Sequence, residues 1–293
     1  MRLDTIKERR LKFRALLEWP AITRSGTVFD PVSARLAQAA GFEFGLLGGS
    51  VAAAVVLGAP DVGVLTASEF TDQARRITRA CDLPLLVDSD DGYGNALSTR
   101  RTVEGLEAAG VCAMMIEDIA LEARYGVSRE QVIDRDEYRD KLRAAVDARS
   151  DPSLVIVGRT AGFRAGGLDE LVARVRICEE AGAEAILLLA VRSLAEIEAA
   201  HSVTSLPLIA TLQVPDEQLV ANGVRLVIVP HVPYFVMIGA LYEAYVHLRK
   251  GGSVADLSSK RLPADMLALA LGEADYDAWM REYLKIEASS AGH

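Results

Sequence analysis

Short apolar runs recur along the chain, each preceded by helix-forming residues, a small residue and a glycine. Ala39-Ala40-Gly41 leads into an apolar run at 44–47, and Ala108-Ala109-Gly110 into one at 113–116. Glu180-Ala181-Gly182 leads into 185–189, and Ala221-Asn222-Gly223 into 226–229. Glycine is favoured just past a helix end, where it takes a positive φ without a Cβ clash. Short continuous apolar runs suit parallel strands buried on both faces. The four glycines are 69, 72 and 41 residues apart. At roughly 35 residues per βα unit, the first two intervals hold two units each and the last holds one. Runs at 83–87, 154–157 and 206–210 fill the gaps, and 27–29 completes a set of eight strands. Helical stretches follow strands at 31–40, 99–109, 136–149 and 168–181, the first opened by Pro31, which suits a first helical turn.

Eight alternating strand and helix signals in 293 residues point to a closed (β/α)8 TIM-type barrel. A doubly wound open sheet is the alternative, but no Gly-x-Gly-x-x-Gly follows the first strand. After the eighth helix the chain passes Gly251-Gly252 into two further helical stretches, 262–271 and 276–286, and residues 289–293 are expected to fray. The expected organisation is one barrel domain over 1–293, with extra C-terminal helices from 251 onward.

Composition narrows the partners. A 51% hydrophobic chain with a mean hydropathy of +0.19 has material for a large core. The net charge of −9 and pI of about 5.1 exclude a basic footprint for nucleic acid. An acidic protein that binds acidic metabolites must gather positive charge locally, from a metal ion or a few arginines. Cys81, Cys112 and Cys178 have neither zinc nor disulfide spacing, and the apolar or helical contexts of Cys112 and Cys178 favour small buried hydrophobes in a reducing compartment. The first twenty residues lack an apolar signal core, and the longest apolar run, 51–60, is too short for a membrane span. The expected location is cytoplasmic, with no membrane partner.

Barrels of this kind keep their chemistry at the C-terminal ends of the strands. Those ends carry Asp30, Gly48-Gly49-Ser50, Asp88-Ser89-Asp90, Glu117-Asp118, Arg159-Thr160 and His231. Carboxylates as close as Asp88, Asp90 and Glu117 repel one another unless a cation lies among them or some are protonated. Oxygen ligands without cysteine suit a hard ion, Mg²⁺ or Mn²⁺. Asp91-Gly92 reads as turn chemistry, whereas Asp118 fits either a helix cap or the metal site. Arg159 is an ion-pair partner for the acids, a fork for a substrate carboxylate, or both. Gly48-Gly49-Ser50 offers backbone N–H groups to an oxyanion or is an ordinary tight loop. His231 is a structural histidine, an acid/base or a ligand.

The stretch Val87-Asp88-Ser89-Asp90-Asp91-Gly92-Tyr93-Gly94 resembles the Asp-x-Asp-x-Gly-Tyr-Gly signature of the isocitrate lyase / phosphoenolpyruvate mutase superfamily. Phe29-Asp30-Pro31, Gly49-Ser50, Ile116-Glu117-Asp118 and Arg159-Thr160 fall in that family's order and spacing. The resemblance implies a barrel assembled as a dimer of dimers, with a helix exchanged between subunits. It implies Mg²⁺ held largely through water by Asp88, with Asp90 and Glu117 in the outer ring, and a 2-oxo or enolate substrate contacted by Gly49, Ser50 and Arg159.

Loop residues separate the subgroups. Lyases of isocitrate carry a Lys-Lys-Cys-Gly-His loop, whereas this chain has Ala120-Leu121-Glu122-Ala123-Arg124-Tyr125-Gly126-Val127. The proton donor of ordinary lyase chemistry is therefore missing. The Asp-Asn-Lys-type gating features of a phosphonomutase are not visible either. Leu57-Gly58-Ala59-Pro60-Asp61 and His231-x-x-Tyr234-Phe235 look most like the oxaloacetate decarboxylase branch, which places Asp61 and His231 among the substrate contacts. Two departures stand out: Ala161-Gly162 where relatives usually carry Asn or Asp, and Leu212 in a stretch that lacks a substrate-side tyrosine. The expected function is Mg²⁺-dependent decarboxylation of oxaloacetate or a close relative through an enolate, with Arg159, His231 and Ser50 catalytic. The alternatives are carbon–carbon lysis of a substituted malate, phosphonomutase-like chemistry, and a catalytically silent binder of a 2-oxo acid or dicarboxylate.

Overall fold

The computed structural model describes residues 3–120 and 131–286. Nine parallel strands form one sheet in the order β1-β9-β8-β7-β6-β5-β4-β3-β2. They are β1 (Thr23–Arg24), β2 (Gly26–Thr27), β3 (Gly45–Leu47), β4 (Leu85–Asp88), β5 (Ala113–Glu117), β6 (Val155–Thr160), β7 (Ala185–Leu188), β8 (Leu208–Ala210) and β9 (Val224–Val227). Only Ser25 separates β1, which pairs with β9, from β2, which pairs with β3. The Ser25 N–H donates to Val227 O at 3.1 Å and the Gly26 N–H to Phe44 O at 3.0 Å. β1 and β2 are thus halves of one stave, and the ring of eight closes through it. The first strand lies earlier than the expected 27–29, because polar Thr23, Arg24 and Ser25 hid it from a search for apolar runs.

Outside the staves lie α2 (Pro31–Ala39), α3 (Gly49–Leu57), α4 (Ala67–Thr78), α5 (Ala96–Ala108), α6 (Arg135–Ala148), α7 (Gly162–Glu180), α8 (Leu194–His201) and α9 (Asp216–Ala221), in chain order after α1 (Ile6–Glu18). The four repeat glycines have φ of 89° (Gly41), 87° (Gly110), 89° (Gly182) and 74° (Gly223). The left-handed turn that hands each helix back to the sheet is what fixed glycine there.

Strand alternation divides the core in two. Phe44, Leu46, Leu86, Met115, Val157, Leu187, Ile209 and Leu226 fill the barrel, while Leu47, Leu85, Val87, Met114, Ile116, Ile156 and Ile186 face the helices. Helix α1 closes the N-terminal mouth. Phe13 packs edge-on against Phe44 with ring centroids 5.7 Å apart. Buried Arg9 donates to the carbonyls of Thr78 and Cys81, and buried Arg10 to those of Val111 and Glu107. The C-terminal mouth is left for chemistry.

The tail departs from the ring. α10 (Val232–Arg249) buries only Tyr234 and leaves Phe235, Val236, Tyr242 and Tyr245 at least 60% exposed. α11 (Ala264–Leu271) starts after Pro263, two residues later than expected, and packs on α2. The expected helix at 276–286 is instead α12 (Glu273–Trp279) followed by a π turn over Met280–Leu284. All three cysteines are buried and unpaired. Among the described residues no helix is long and apolar enough to cross a membrane.

Candidate active site

A cavity of about 470 Å³ opens at the C-terminal mouth, lined by Ser50, Asp61, Asp88, Asp90, Glu117, Ile119, Ala120, Arg159, Arg164, Leu189 and His231. Alternation explains the acids and the arginine. Asp88 follows Leu86, Glu117 follows Met115 and Arg159 follows Val157 on the barrel-facing side of their strands. The register sets Glu117 opposite Arg159 and Asp88 opposite Met115. The Arg159 guanidinium bridges the two acids, with Nη1 2.5 Å from Asp88 Oδ2 and Nη2 3.1 Å from Glu117 Oε2. The ion-pair role expected of it is present here.

Asp90 enters on an unusual backbone. It has φ 52°, followed by Gly92 at 83°, Tyr93 at 60° and Gly94 at 132°, so the loop after β4 coils tightly. The Glu117 N–H donates to Asp90 O at 2.8 Å, which ties this loop to β5. A Cβ at Gly49 would stand 2.6 Å from Asp90 Oδ1, and one at Gly48 would overlap the His231 ring. Both glycines are therefore set by close approach. Gly49 itself does not line the cavity. Gly49 and Ser50 are not the tight loop considered above but the first turn of α3, whose unpaired N–H groups and positive dipole end start at the site.

Burial dominates the electrostatics. It holds the Asp90 carboxyl well above the usual carboxylate range, reinforced by Asp88 and Glu117. Glu117 is pushed up to about 8, by burial first and against the pull of Arg159. Burial also opposes the charge on Arg159, but Asp88 and Glu117 outweigh it and keep the guanidinium protonated. His231 is lowered by burial, so the ring is neutral at pH 7. Its Nδ1 lies 3.2 Å from Thr27 Oγ1; a hydroxyl donating there leaves the ring proton on Nε2.

The second acid of each pair turns away. Asp91 Oδ1 accepts the Tyr93 N–H at 2.9 Å and Oδ2 faces buried Lys141 Nζ at 3.4 Å, which is the turn role expected for it. Asp118 is fully buried, accepting the Ala161 N–H at 2.9 Å and Thr160 Oγ1–H at 2.5 Å at the head of α7. Asp118 is not the N-cap of a helix: its carboxylate braces Thr160 and Ala161, which lead into α7, and does not line the cavity. Asp30 caps α2 through the Ser33 N–H at 2.6 Å and stays out of the cavity.

Arg164 escaped the sequence reading. α7 kinks at Gly166 and Gly167, so the helix expected at 168–181 begins after the kink, and a short turn carrying Arg164 precedes it. Ile119, Ala120 and Leu189 supply an apolar side that nothing in the strand-end chemistry signalled. Leu212 packs against the core between strands and helices. Residues 121–127 of the stretch compared with the lyase loop lie outside the described residues.

Among the described residues, no three His, Cys, Asp or Glu side chains assemble as a ready-made set of direct metal ligands. The donor chemistry nevertheless fits a divalent ion that keeps much of its water and takes one or two carboxylates, as Mg²⁺ does. Half-buried Asp88 and buried Glu117 share the Arg159 cation beside buried Asp90, and Glu117 Oε2 is buried with no hydrogen-bond donor aligned on it.

Polar and ionisable groups from the ends of β3, β4, β5, β6 and β9 around one cavity make this a barrel enzyme. A family model described as phosphoenolpyruvate phosphomutase matches residues 13–249. The chain belongs to that family. It is 42% identical over 286 residues to an oxaloacetate decarboxylase of Chromohalobacter salexigens, spanning 95% of this chain and 96% of that one. An oxaloacetate decarboxylase of Pseudomonas aeruginosa is 40% identical over 285 residues, with 96% and 97% covered. Among solved structures, oxaloacetate acetylhydrolase with its product oxalate superposes with a TM-score of 0.83 at 27% identity, covering 94% of this chain and 98% of that one. Phosphonopyruvate hydrolase in complex with oxalate and Mg²⁺ gives 0.83 at 26%, covering 94% and 99%.

Proposed function

We propose that this chain is a Mg²⁺-assisted lyase of small 2-oxo dicarboxylic acids, converting oxaloacetate to pyruvate and CO₂. The observation that carries the reading is the cavity where Ser50, Asp88, Asp90, Glu117, Arg159 and His231 meet. Identity of 40% or more to oxaloacetate decarboxylases over nearly the whole chain supports the choice of substrate. In this reaction the C3–C4 bond breaks and the distal carboxylate leaves as CO₂. The electron pair passes into the C2–C3 bond and onto the C2 oxygen, and the resulting enolate takes a proton at C3.

Asp88, Asp90 and Glu117 would hold Mg²⁺, or Mn²⁺, largely through water, and the ion would polarise the 2-oxo group as a Lewis acid. Arg159 holds Asp88 and Glu117 aimed into the cavity, and presents positive charge to a substrate carboxylate. The first turn of α3, at Gly49 and Ser50, directs N–H donors and the helix dipole at the oxygen that becomes negative. Neutral His231 offers Nε2–H to the substrate and relays the proton that ends the cycle. Exposed Asp61 borders the substrate space, and the apolar side at Ile119 and Leu189 lets a carboxylate shed its charge with least opposition.

The test follows oxaloacetate loss by absorbance with Mg²⁺ and with a chelator. A metal-dependent rate well above the spontaneous one is expected, and its absence overturns the reading. Detection of a carbonyl co-product in place of CO₂, with a substituted malate as substrate, would favour carbon–carbon lysis instead. The exposed apolar surface of α10 supports an assembly in which this helix packs on another copy, and light scattering at a mass above one chain is the expected result.

A further inference from the structure

Two buried ion pairs sit behind the site and share one design. Asp90 and Glu117 face the cavity, and each is followed by a second acid, Asp91 or Asp118, that points the other way into the helix layer. Each second acid meets a cation reaching in from a helix. Lys141 of α6, 1% exposed, places Nζ 3.4 Å from Asp91 Oδ2. Arg174 of α7, 2% exposed, places Nη1 3.2 Å from Asp118 Oδ2. The Asp118 carboxylate also takes hydrogen bonds from Thr160 and Ala161, the two residues after Arg159. Arg174 continues to Ile133 O at 2.7 Å, and the Ile133 N–H donates to Asp118 O at 2.8 Å.

Buried pairs of this kind are poor sources of stability, because desolvating both charges offsets their attraction. Their geometry is better matched to fixing position. We propose that Asp91–Lys141 and Asp118–Arg174 are positioning pairs that hold the ends of β4, β5 and β6 in register, so that Asp90, Glu117 and Arg159 meet at the cavity with the spacing a divalent ion requires. This rests on the metal reading proposed above. Groups that orient metal-binding residues are worth about 10- to 100-fold in metal affinity or activity when removed.

The probe is Mn²⁺ alone, its binding to the full chain measured by calorimetry or electron spin resonance well below each variant's melting temperature. Arg174→Met is expected to weaken Mn²⁺ binding by about 10-fold or more, and Arg174→Lys to recover part of the loss. Arg174→Met leaves Asp118 buried without its cation and could unfold the chain. The double variant Asp91→Asn with Lys141→Met removes both charges together, keeps an oxygen to accept the Tyr93 N–H, and is expected to show the same loss of affinity. Variants that melt earlier yet bind Mn²⁺ as the unmodified protein does would reduce both pairs to stabilisers and overturn the proposal. Failure of the unmodified protein to bind Mn²⁺ overturns the metal reading itself, and this proposal with it.

Discussion

Gly48 offers the sharpest perturbation of the site. Its backbone, at φ −88° and ψ 147°, is extended and open to any residue, so Gly48→Ala introduces no backbone strain. A Cβ there would stand 2.7 Å from His231 Cε1 and overlap Nε2. Ordinary carbon contacts lie near 3.5 Å or beyond, so the ring must retreat by roughly 1 Å. That retreat also stretches the 3.2 Å contact between Nδ1 and Thr27. A displacement of about 1 Å in a reacting group costs on the order of 100-fold in rate, or about 2.7 kcal/mol of transition-state stabilisation. The expected result is a fall of this size in kcat/KM for oxaloacetate, with the far-ultraviolet circular dichroism unchanged. Gly105→Ala in α5 is the matched control: its Cβ finds only ordinary contact at 3.5 Å from Thr71 Oγ1, and a helix-interior alanine adds roughly 0.5–1 kcal/mol of stability. Full activity in Gly48→Ala would refute the role given to His231.

Arg159→Lys removes the fork that bridges Asp88 and Glu117, since an ammonium cannot engage both acids in one plane; kcat/KM should drop by about 100-fold or more. In chelator-treated protein, Glu117 sits near 8, above its unfolded value, so the folded state retains a proton that the unfolded chain loses. Stability should therefore be fully present below the ordinary carboxylate range, fall by a few kcal/mol as pH rises toward about 8, and level off beyond. Urea titrations across this range check the sign, and a flat profile contradicts it. Divalent-ion affinity should tighten over the same window, because the ion competes with that proton. Gly182→Ala forces a residue with a Cβ into φ 89°; a loss of about 1–2 kcal/mol, read as a drop in melting temperature of several degrees, is expected.

Several features of this protein were legible without coordinates. The glycines that end helices, and the apolar runs after them, specify a parallel ring because helix termination and two-sided strand burial are local demands written in residue type. The same strand periodicity places Asp88, Glu117 and Arg159 on the barrel side, and would have turned Asp118 to the helix side had it been followed one residue further. Other features depend on contacts made far along the chain. That Arg159 meets the acids was decided by the register that sets it opposite Glu117, 42 residues earlier. The closeness of Gly48 to His231, the turn that brings Arg164 to the cavity, and the cations behind Asp91 and Asp118 follow from how helices seat on the sheet. Periodicity tells a residue which face it occupies; only packing determines what it meets there, because that partner comes from a segment whose distance the local pattern does not encode.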